Sequence, residues 1–285
     1  MPELPEVETI ARALRQGGRG APAIAGAQIT AARLLWPRTL AEPDEAGFLG
    51  RVAGQRIEAV GRRGKFVRLQ LTRDWLLIHL RMTGDLRVEA QYGPDGSPLP
   101  LAPHDRLVLD FAGGYRLAFN DARKFGRVWL VDDPETILGG LGPEPLDEAL
   151  TPAVFYANLH ARRRQLKPLL LDQSFLAGMG NIYTDEALHV ARLHPLQPSE
   201  RLNPAQAGVL LDSIRTVLLE GIRHNGASID WAYRGGNFQN TFRVYQRTGE
   251  ACPVCGATIQ RTVIGQRGTH FCPVCQVLKD DGSGG

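Results

Sequence analysis

Two groups of residues have types and spacings suited to chemistry. The first is at the start of the chain. Met1 is followed by Pro2, a small residue that permits removal of the initiator methionine and leaves a secondary amine as the new terminus. Free α-amines titrate near about 7.7–8.0, against about 10.4 for lysine, so such an amine is the better supplied neutral nucleophile near pH 7. It can attack a sugar aldehyde carbon and form a Schiff base. Glu3 is adjacent and Glu6 lies one helical turn further on, so two carboxylates stand ready as acid–base partners. The same residues also suit a capped helix with solvated glutamates, and taken alone they favour that plainer reading. The second group is cysteine. Cys252 and Cys255 form one Cys-x-x-Cys pair and Cys272 and Cys275 another, with sixteen residues between them. This is the spacing of a four-cysteine zinc site on two knuckles, favoured here over two disulfides or four free thiols. A secreted disulfide protein would seldom crowd its cysteines into so short a stretch. Pro253 with Gly256, and Pro273 with a turn at Gly268, support tight knuckles. His270 lies close enough to compete as a ligand, but four cysteines make it unnecessary.

Elements must position these groups. A helix is expected from Pro5 to Gln16, with an acidic start and a basic end at Arg12 and Arg15, as the helix dipole prefers. Short β-rich runs follow at Ile24–Leu35, Arg56–Val60, Lys65–Leu71, Trp75–Arg81, Leu86–Glu89, Arg106–Phe111, Tyr115–Asn120 and Arg127–Val131. Glycine and Asp-Gly turns separate them, which suggests a β-sandwich or barrel. GGLGPEP at 139–145 reads as a linker, and 91–103 as a Pro/Gly-rich loop. The second half turns helical. Asn203-Pro204 caps a helix whose apolar face is Val209, Leu210, Ile214, Val217, Leu218 and Ile222, ended by Gly226. Gly178, Gly180 and Asn181 open another helical stretch reaching about Arg192. Glycines there could expose backbone N–H groups to phosphate, but close helix packing is the preferred reading of that segment alone. The tail 280–285 reads as flexible.

Composition narrows the function. The 285 residues are 43% hydrophobic and 22% charged, which excludes global disorder and fibrous classes. There is no apolar run of spanning length, and the first charges are acidic, so neither a membrane helix nor a secretory signal is expected and a cytoplasmic location follows as the default. Net charge is only +3, but residues 151–285 carry +4 and residues 1–150 carry −1, a weak pointer to nucleic acid in the C-terminal half.

PELPEVETI at the start resembles the N-terminus of bacterial formamidopyrimidine-DNA glycosylases, enzymes that excise oxidised purines. The resemblance continues through GRRGKF, HLRMTG, FNDARKFGR, LGPEPL, KPLLLDQSFLAGMGNIYTDEAL and the cysteine knuckles with GQRGTHFC between them. Seven motifs in the family order are highly specific. Leu4 favours this branch over endonuclease VIII, which usually reads PEGPE. The implied fold is α+β: an N-terminal helix with a two-sheet β-sandwich over 1–138, a linker at 139–150, a helix-two-turns-helix domain over 151–245, and a zinc β-hairpin over 246–279.

The resemblance also implies roles. Pro2 would be the nucleophile on the anomeric sugar carbon, Glu3 the general acid, and Glu6 a supporting group. Lys65 and Asn181 would contact phosphates at the lesion, with Lys167 adding a weaker contact and His79 a phosphate or structural one. Arg267, at the hairpin tip, would clamp the lesion phosphate, and one structural zinc would hold it there. A base inside a duplex must be flipped out, and Met82, Arg123 and Phe125 would fill the hole. Outside these motifs, Met82 and Phe125 would read as core. The implied partner is damaged double-stranded DNA, bound by a monomer. The segment Ser228–Phe242 is shorter than the family's usual lesion-capping loop, with Asp230 and Trp231 in unusual positions, so it leaves the damaged base open. An oxidised-pyrimidine glycosylase of the same fold, and a non-catalytic DNA-binding zinc protein, are the rival readings.

Overall fold

The computed structural model describes residues 1–228 and 235–278; Asp230, Trp231 and the tail 280–285 lie outside the described residues. Two compact units form: Met1–Gly140 with Asn225–Gly236, and Leu141–His224 with Asn237–Gly285. The segment 225–236 thus joins the N-terminal unit, and the cysteine hairpin shares a unit with the helices.

The first unit begins with α1 (Leu4–Gln16). Leu4, Val7, Ile10, Ala11 and Leu14 recur at helical spacing and are buried, and Gly17 at φ +79° ends the helix. Then come β1 (Ile29–Leu34), β2 (Leu40–Glu42), α2 (Glu45–Val52), β3 (Ile57–Arg63), β4 (Phe66–Leu71), β5 (Trp75–His79), β6 (Gly84–Ala90), β7 (Asp105–Phe111), β8 (Tyr115–Asp121), β9 (Arg127–Val131) and the one-turn α3 (Glu135–Leu138). One sheet runs β1-β7-β8-β6 and the other β2-β9-β5-β4-β3. Ile29, Leu109 and Phe119 of the first sheet share a core with Val67, Ile78 and Val128 of the second and with Val7 and Ile10 of α1. The sandwich of the sequence reading therefore holds. The expected strand from Ile24 starts only at Ile29, because Gly26 turns the chain at φ +84°. The sequence reading has no counterpart for α2 and β2. Both are short, and α2 buries only Phe48 and Val52.

The second unit carries α4 (Pro152–Arg162), α5 (Leu166–Leu171), α6 (Asn181–Val190) and α7 (Pro204–Arg223), then the hairpin β10 (Gln260–Ile264) and β11 (Arg267–Phe271). In α7 the Asn203 side chain accepts from Gln206 N at 2.9 Å and the Gln206 side chain from Asn203 N at 3.0 Å. This reciprocal box satisfies two otherwise orphaned donors at the helix start. Its buried face includes Leu211, whereas Val209 is 52% exposed, one position off the expected stripe. The Leu141–Pro145 part of the expected linker is packed. Gly142 N donates to Gln173 O at 2.8 Å, and a Cβ on Gly142 would lie 2.6 Å from the Phe175 backbone. No helix among the described residues is long and apolar enough to cross a membrane.

Candidate active site and metal centre

In the first unit α1 is fastened to β3. The Glu8 carboxylate accepts from Arg62 Nε at 3.2 Å, and Arg15 donates to the Val60 carbonyl at 3.2 Å. Pro2, Glu3 and Glu6 are all buried, so Glu3 and Glu6 are not the solvated glutamates of the plainer reading. Glu6 is the organising residue. Its Oε2 accepts from Glu3 N at 2.8 Å, and its Oε1 accepts from Ala227 N at 2.7 Å. One carboxylate therefore fixes the backbone beside Pro2 and the base of the 225–236 segment. Gly226 sits at φ +80°, and a Cβ there would lie 2.6 Å from Glu6 Oε1, so only glycine lets the carboxylate this close. The sequence reading expected support from Glu6, but nothing local ties it to a segment some 220 positions away.

β3 leads into the Gly64-Lys65 turn, and β4 and β5 then bring Phe66 opposite His79. Their rings meet edge-on, with centroids 4.7 Å apart. Burial, then the charges of Arg81 and Lys65, pull the His79 pKa down to about 3, so the imidazole is neutral at any physiological pH. His79 Nδ1 accepts from Arg81 N at 3.0 Å. The proton is consequently on Nε2, which makes His79 a neutral donor.

Met82 follows in the turn after β5 and is 37% exposed; Phe125 is 49% exposed and Arg123 is exposed in the β8–β9 turn. Neither apolar residue belongs to the core. The Arg123 guanidinium lies over the Phe125 ring, 5.0 Å from its centroid, and Lys124 Nζ lies 4.0 Å from that of Trp36. Fully buried Asp121 builds both turns. It accepts from the Thr83 hydroxyl, from Arg123 N at 3.2 Å and from Gly126 N at 2.7 Å. Thr83 Oγ1 in turn accepts from Arg123 N at 3.2 Å. The signal for Asp121 was its place inside FNDARKFGR, but the sequence does not reveal that its carboxylate reaches back to the turn of Met82.

In the second unit Lys167 corrects an expectation. It is fully buried, with Nζ 2.5 Å from Asp185 Oδ1 and 3.1 Å from Gly268 O. It faces inward and serves the hairpin, because an ammonium this deep must be paired. Asn181, the first residue of α6, donates its Nδ2 to the same Gly268 carbonyl at 3.0 Å. Two side chains thus hold the residue after Arg267, which is itself exposed. The turn lies at Gly265 (φ +54°) and Gln266 (φ +62°), not at Gly268 as expected. Two consecutive positive φ values make the two-residue turn that matches strand twist, so Arg267 opens β11. His270 is not a ligand: its Nδ1 is 3.2 Å from Asp185 Oδ2, which also accepts from its backbone N at 2.9 Å. Glu186 accepts from the N–H groups of Arg243, Val244 and Tyr245 at 2.8–2.9 Å. Burial nevertheless raises its pKa. Asp185 and Glu186 were missed, although two adjacent acids inside an apolar helix are a legible sign of buried partners.

The four Sγ atoms lie within 4.8 Å of one another, with Cys252–Cys275 at 3.9 Å and Cys255–Cys272 at 3.4 Å. A tetrahedron with Zn–S of about 2.3 Å has edges of about 3.8 Å, so the set fits zinc. Burial and the neighbouring thiols push Cys275 up to about 12. Four thiolates this close need a dication. Val244, Ile259, Cys252 and Cys272 form the hairpin's own small core, so the ligands are also part of its packing.

Residues 1–128 match the formamidopyrimidine-DNA glycosylase N-terminal domain, 141–232 the H2TH domain of the same enzymes, and 249–277 the zinc finger found in FPG and IleRS. The formamidopyrimidine-DNA glycosylase of Chloroflexus aurantiacus is 48% identical, over 97% of this chain and 98% of that one. That of Protochlamydia amoebophila is 42% identical over 97% and 99%. A Lactococcus lactis FPG mutant bound to Fapy-dG-containing DNA superposes with a TM-score of 0.86 at 36% identity, over 97% of this chain and 100% of that one. A MutM complex with carbocyclic 8-oxo-G DNA gives 0.85 at 35%, over 97% and 100%.

Proposed function

The chain belongs to the formamidopyrimidine-DNA glycosylase family, and from that premise we propose how its own residues carry the reaction. It is a base-excision repair glycosylase acting on oxidised purines in double-stranded DNA, with the lyase activity typical of the family and a structural zinc.

Once Met1 is removed, the Pro2 nitrogen attacks C1′ of the damaged nucleotide. The N–C1′ bond forms as the glycosidic bond breaks, the electron pair leaves with the base, which takes up the proton that the Pro2 nitrogen loses, and the C1′–O4′ bond then opens to give the iminium. Glu3 supplies the proton to the opening sugar and then manages the proton losses that accompany β- and δ-elimination, which break the C3′–O and C5′–O bonds in turn. The observation carrying this reading is the Glu6 carboxylate, which holds Glu3 N at 2.8 Å and Ala227 N at 2.7 Å. It immobilises the backbone next to the nucleophile and anchors Ala227. Lys65 and His79 meet phosphate, His79 through its Nε2–H. Met82, Arg123 and Phe125 fill the vacated stack on two turns made rigid by Asp121. Asn181 and Arg267 take phosphates at the lesion, while Lys167 contributes by holding the Arg267 strand. The enzyme works as a cytoplasmic monomer on nucleoid DNA of a bacterium, and 8-oxoguanine and formamidopyrimidines are its substrates.

Borohydride reduction during turnover on 8-oxoguanine DNA tests the nucleophile. The covalent adduct is expected on Pro2 by peptide mass spectrometry. An adduct on Lys65 or another lysine would overturn the assignment. Thymine glycol excised faster than 8-oxoguanine would shift the substrate to oxidised pyrimidines.

A further inference from the structure

Three polar side chains of α6 each hold the backbone of a distant stretch of the same unit. Asn181 holds Gly268 O, Asp185 holds His270 N, and Glu186 holds the 243–245 backbone. Asn181 and Asp185 lie four positions apart on the face turned to the hairpin. His189 continues the face one turn beyond Asp185. It is 2% exposed, and its Nε2 is 3.3 Å from Cys252 Sγ. Its Nδ1 is buried and has no hydrogen-bond partner among the described residues.

That asymmetry fixes the proton. A neutral imidazole has one donor and one acceptor nitrogen. With the proton on Nδ1, a buried N–H would be orphaned and a lone pair would face a thiolate. With the proton on Nε2, the N–H meets the thiolate and only one acceptor lone pair is left bare. We propose that His189 is a positioning residue for the zinc centre, donating Nε2–H to the Cys252 thiolate and so tying the metal to the helix that also holds the Arg267 strand. α6 rises about 12 Å from Asn181 to His189 at about 1.5 Å per residue. One rigid helix then sets both ends of the hairpin, its ligand end and its arginine end. Partners outside the ligand set commonly change metal affinity by about 10–100-fold, since they orient the ligand and spread its charge. The inference rests on the four cysteines holding zinc and not on the assignment of DNA contacts.

Zinc release from the full-length protein to a chromogenic chelator, without DNA, is the test. His189→Phe fills the space without a donor and is expected to release zinc at least about tenfold faster. His189→Gln returns an N–H close to the Nε2 position and is expected to stay within about threefold of the parent. In cobalt-substituted protein the thiolate-to-metal charge-transfer band should move to longer wavelength in His189→Phe, because the sulfur lone pair is no longer stabilised. A merely steric role would leave that band in place and would make Gln the worse replacement. Should the Phe variant fail to fold, the Gln variant decides: rapid zinc loss from a folded Gln variant overturns the proposal. Unchanged release from a folded Phe variant also overturns it, whereas a parent without one zinc per chain would overturn the metal reading itself.

Discussion

The buried pair of Lys167 and Asp185 offers a sharp test of what holds the hairpin arginine. Both side chains are fully buried, Nζ is 2.5 Å from Oδ1, and Asp185 Oδ2 also accepts from His270 N. Replacing Asp185 with Asn keeps the shape but removes the negative charge that faces the buried ammonium. Stranding one member of a buried ion pair typically costs about 3–5 kcal/mol, against about 0–1 kcal/mol for a surface pair. Lys167→Met instead removes the ammonium and strands the carboxylate, whose second oxygen still has the His270 N–H. The double variant Lys167→Met/Asp185→Asn strands neither charge and should recover most of the loss, giving a coupling of at least about 2 kcal/mol. Urea unfolding followed by circular dichroism reads this, since most of the helix lies in the second unit. A duplex bearing an abasic-site analogue reads the consequence for Arg267. Each single variant should weaken binding and lower the slope of log affinity against log salt by about 0.9, the share of one phosphate contact. Single variants within about 1 kcal/mol of the parent, or losses that add in the double variant, would refute the reasoning.

Further outcomes follow from the first unit. Glu3→Gln should bind the abasic analogue at parental strength and lose base excision; excision at the parental rate would remove Glu3 from the chemistry. Excision opposite cytosine should exceed that opposite adenine by one to two orders of magnitude, about 1–3 kcal/mol, because the Arg123 fork suits cytosine O2 and N3. Arg123→Ala should flatten that ratio, and a preference that survives it would contradict the role. His79 is neutral down to about pH 3 in the fold but takes a proton near 6.5 when unfolded. Unfolding therefore binds a proton between these values, and stability falls as pH drops, by at most about 1.4 kcal/mol per unit. His79→Asn, which can still accept from Arg81 N, should flatten that part of the pH–stability curve; identical curves from pH 7 to 5 would count against the assignment.

The sequence by itself determined the elements that carry strong local signals. α1 is legible from its apolar spacing and charge order, α7 from Asn203-Pro204, and the strands from short β-rich runs between glycines. The zinc ligands are legible because chelation by two knuckles needs close spacing along the chain, so Cys252, Cys255, Cys272 and Cys275 announce themselves. The motif order carries the candidate residues Pro2, Glu3, Lys65, Met82, Arg123 and Arg267. Tertiary structure decided what those residues lean on. Glu6 reaching Ala227, Asp121 reaching Thr83, Lys167 turning inward to Asp185, and His189 meeting Cys252 are contacts across 38 to 221 positions or, for Lys167, across 18. No local propensity encodes such pairs. A buried charge or donor must find a partner once water is excluded, and only the folded chain determines which partner is within reach.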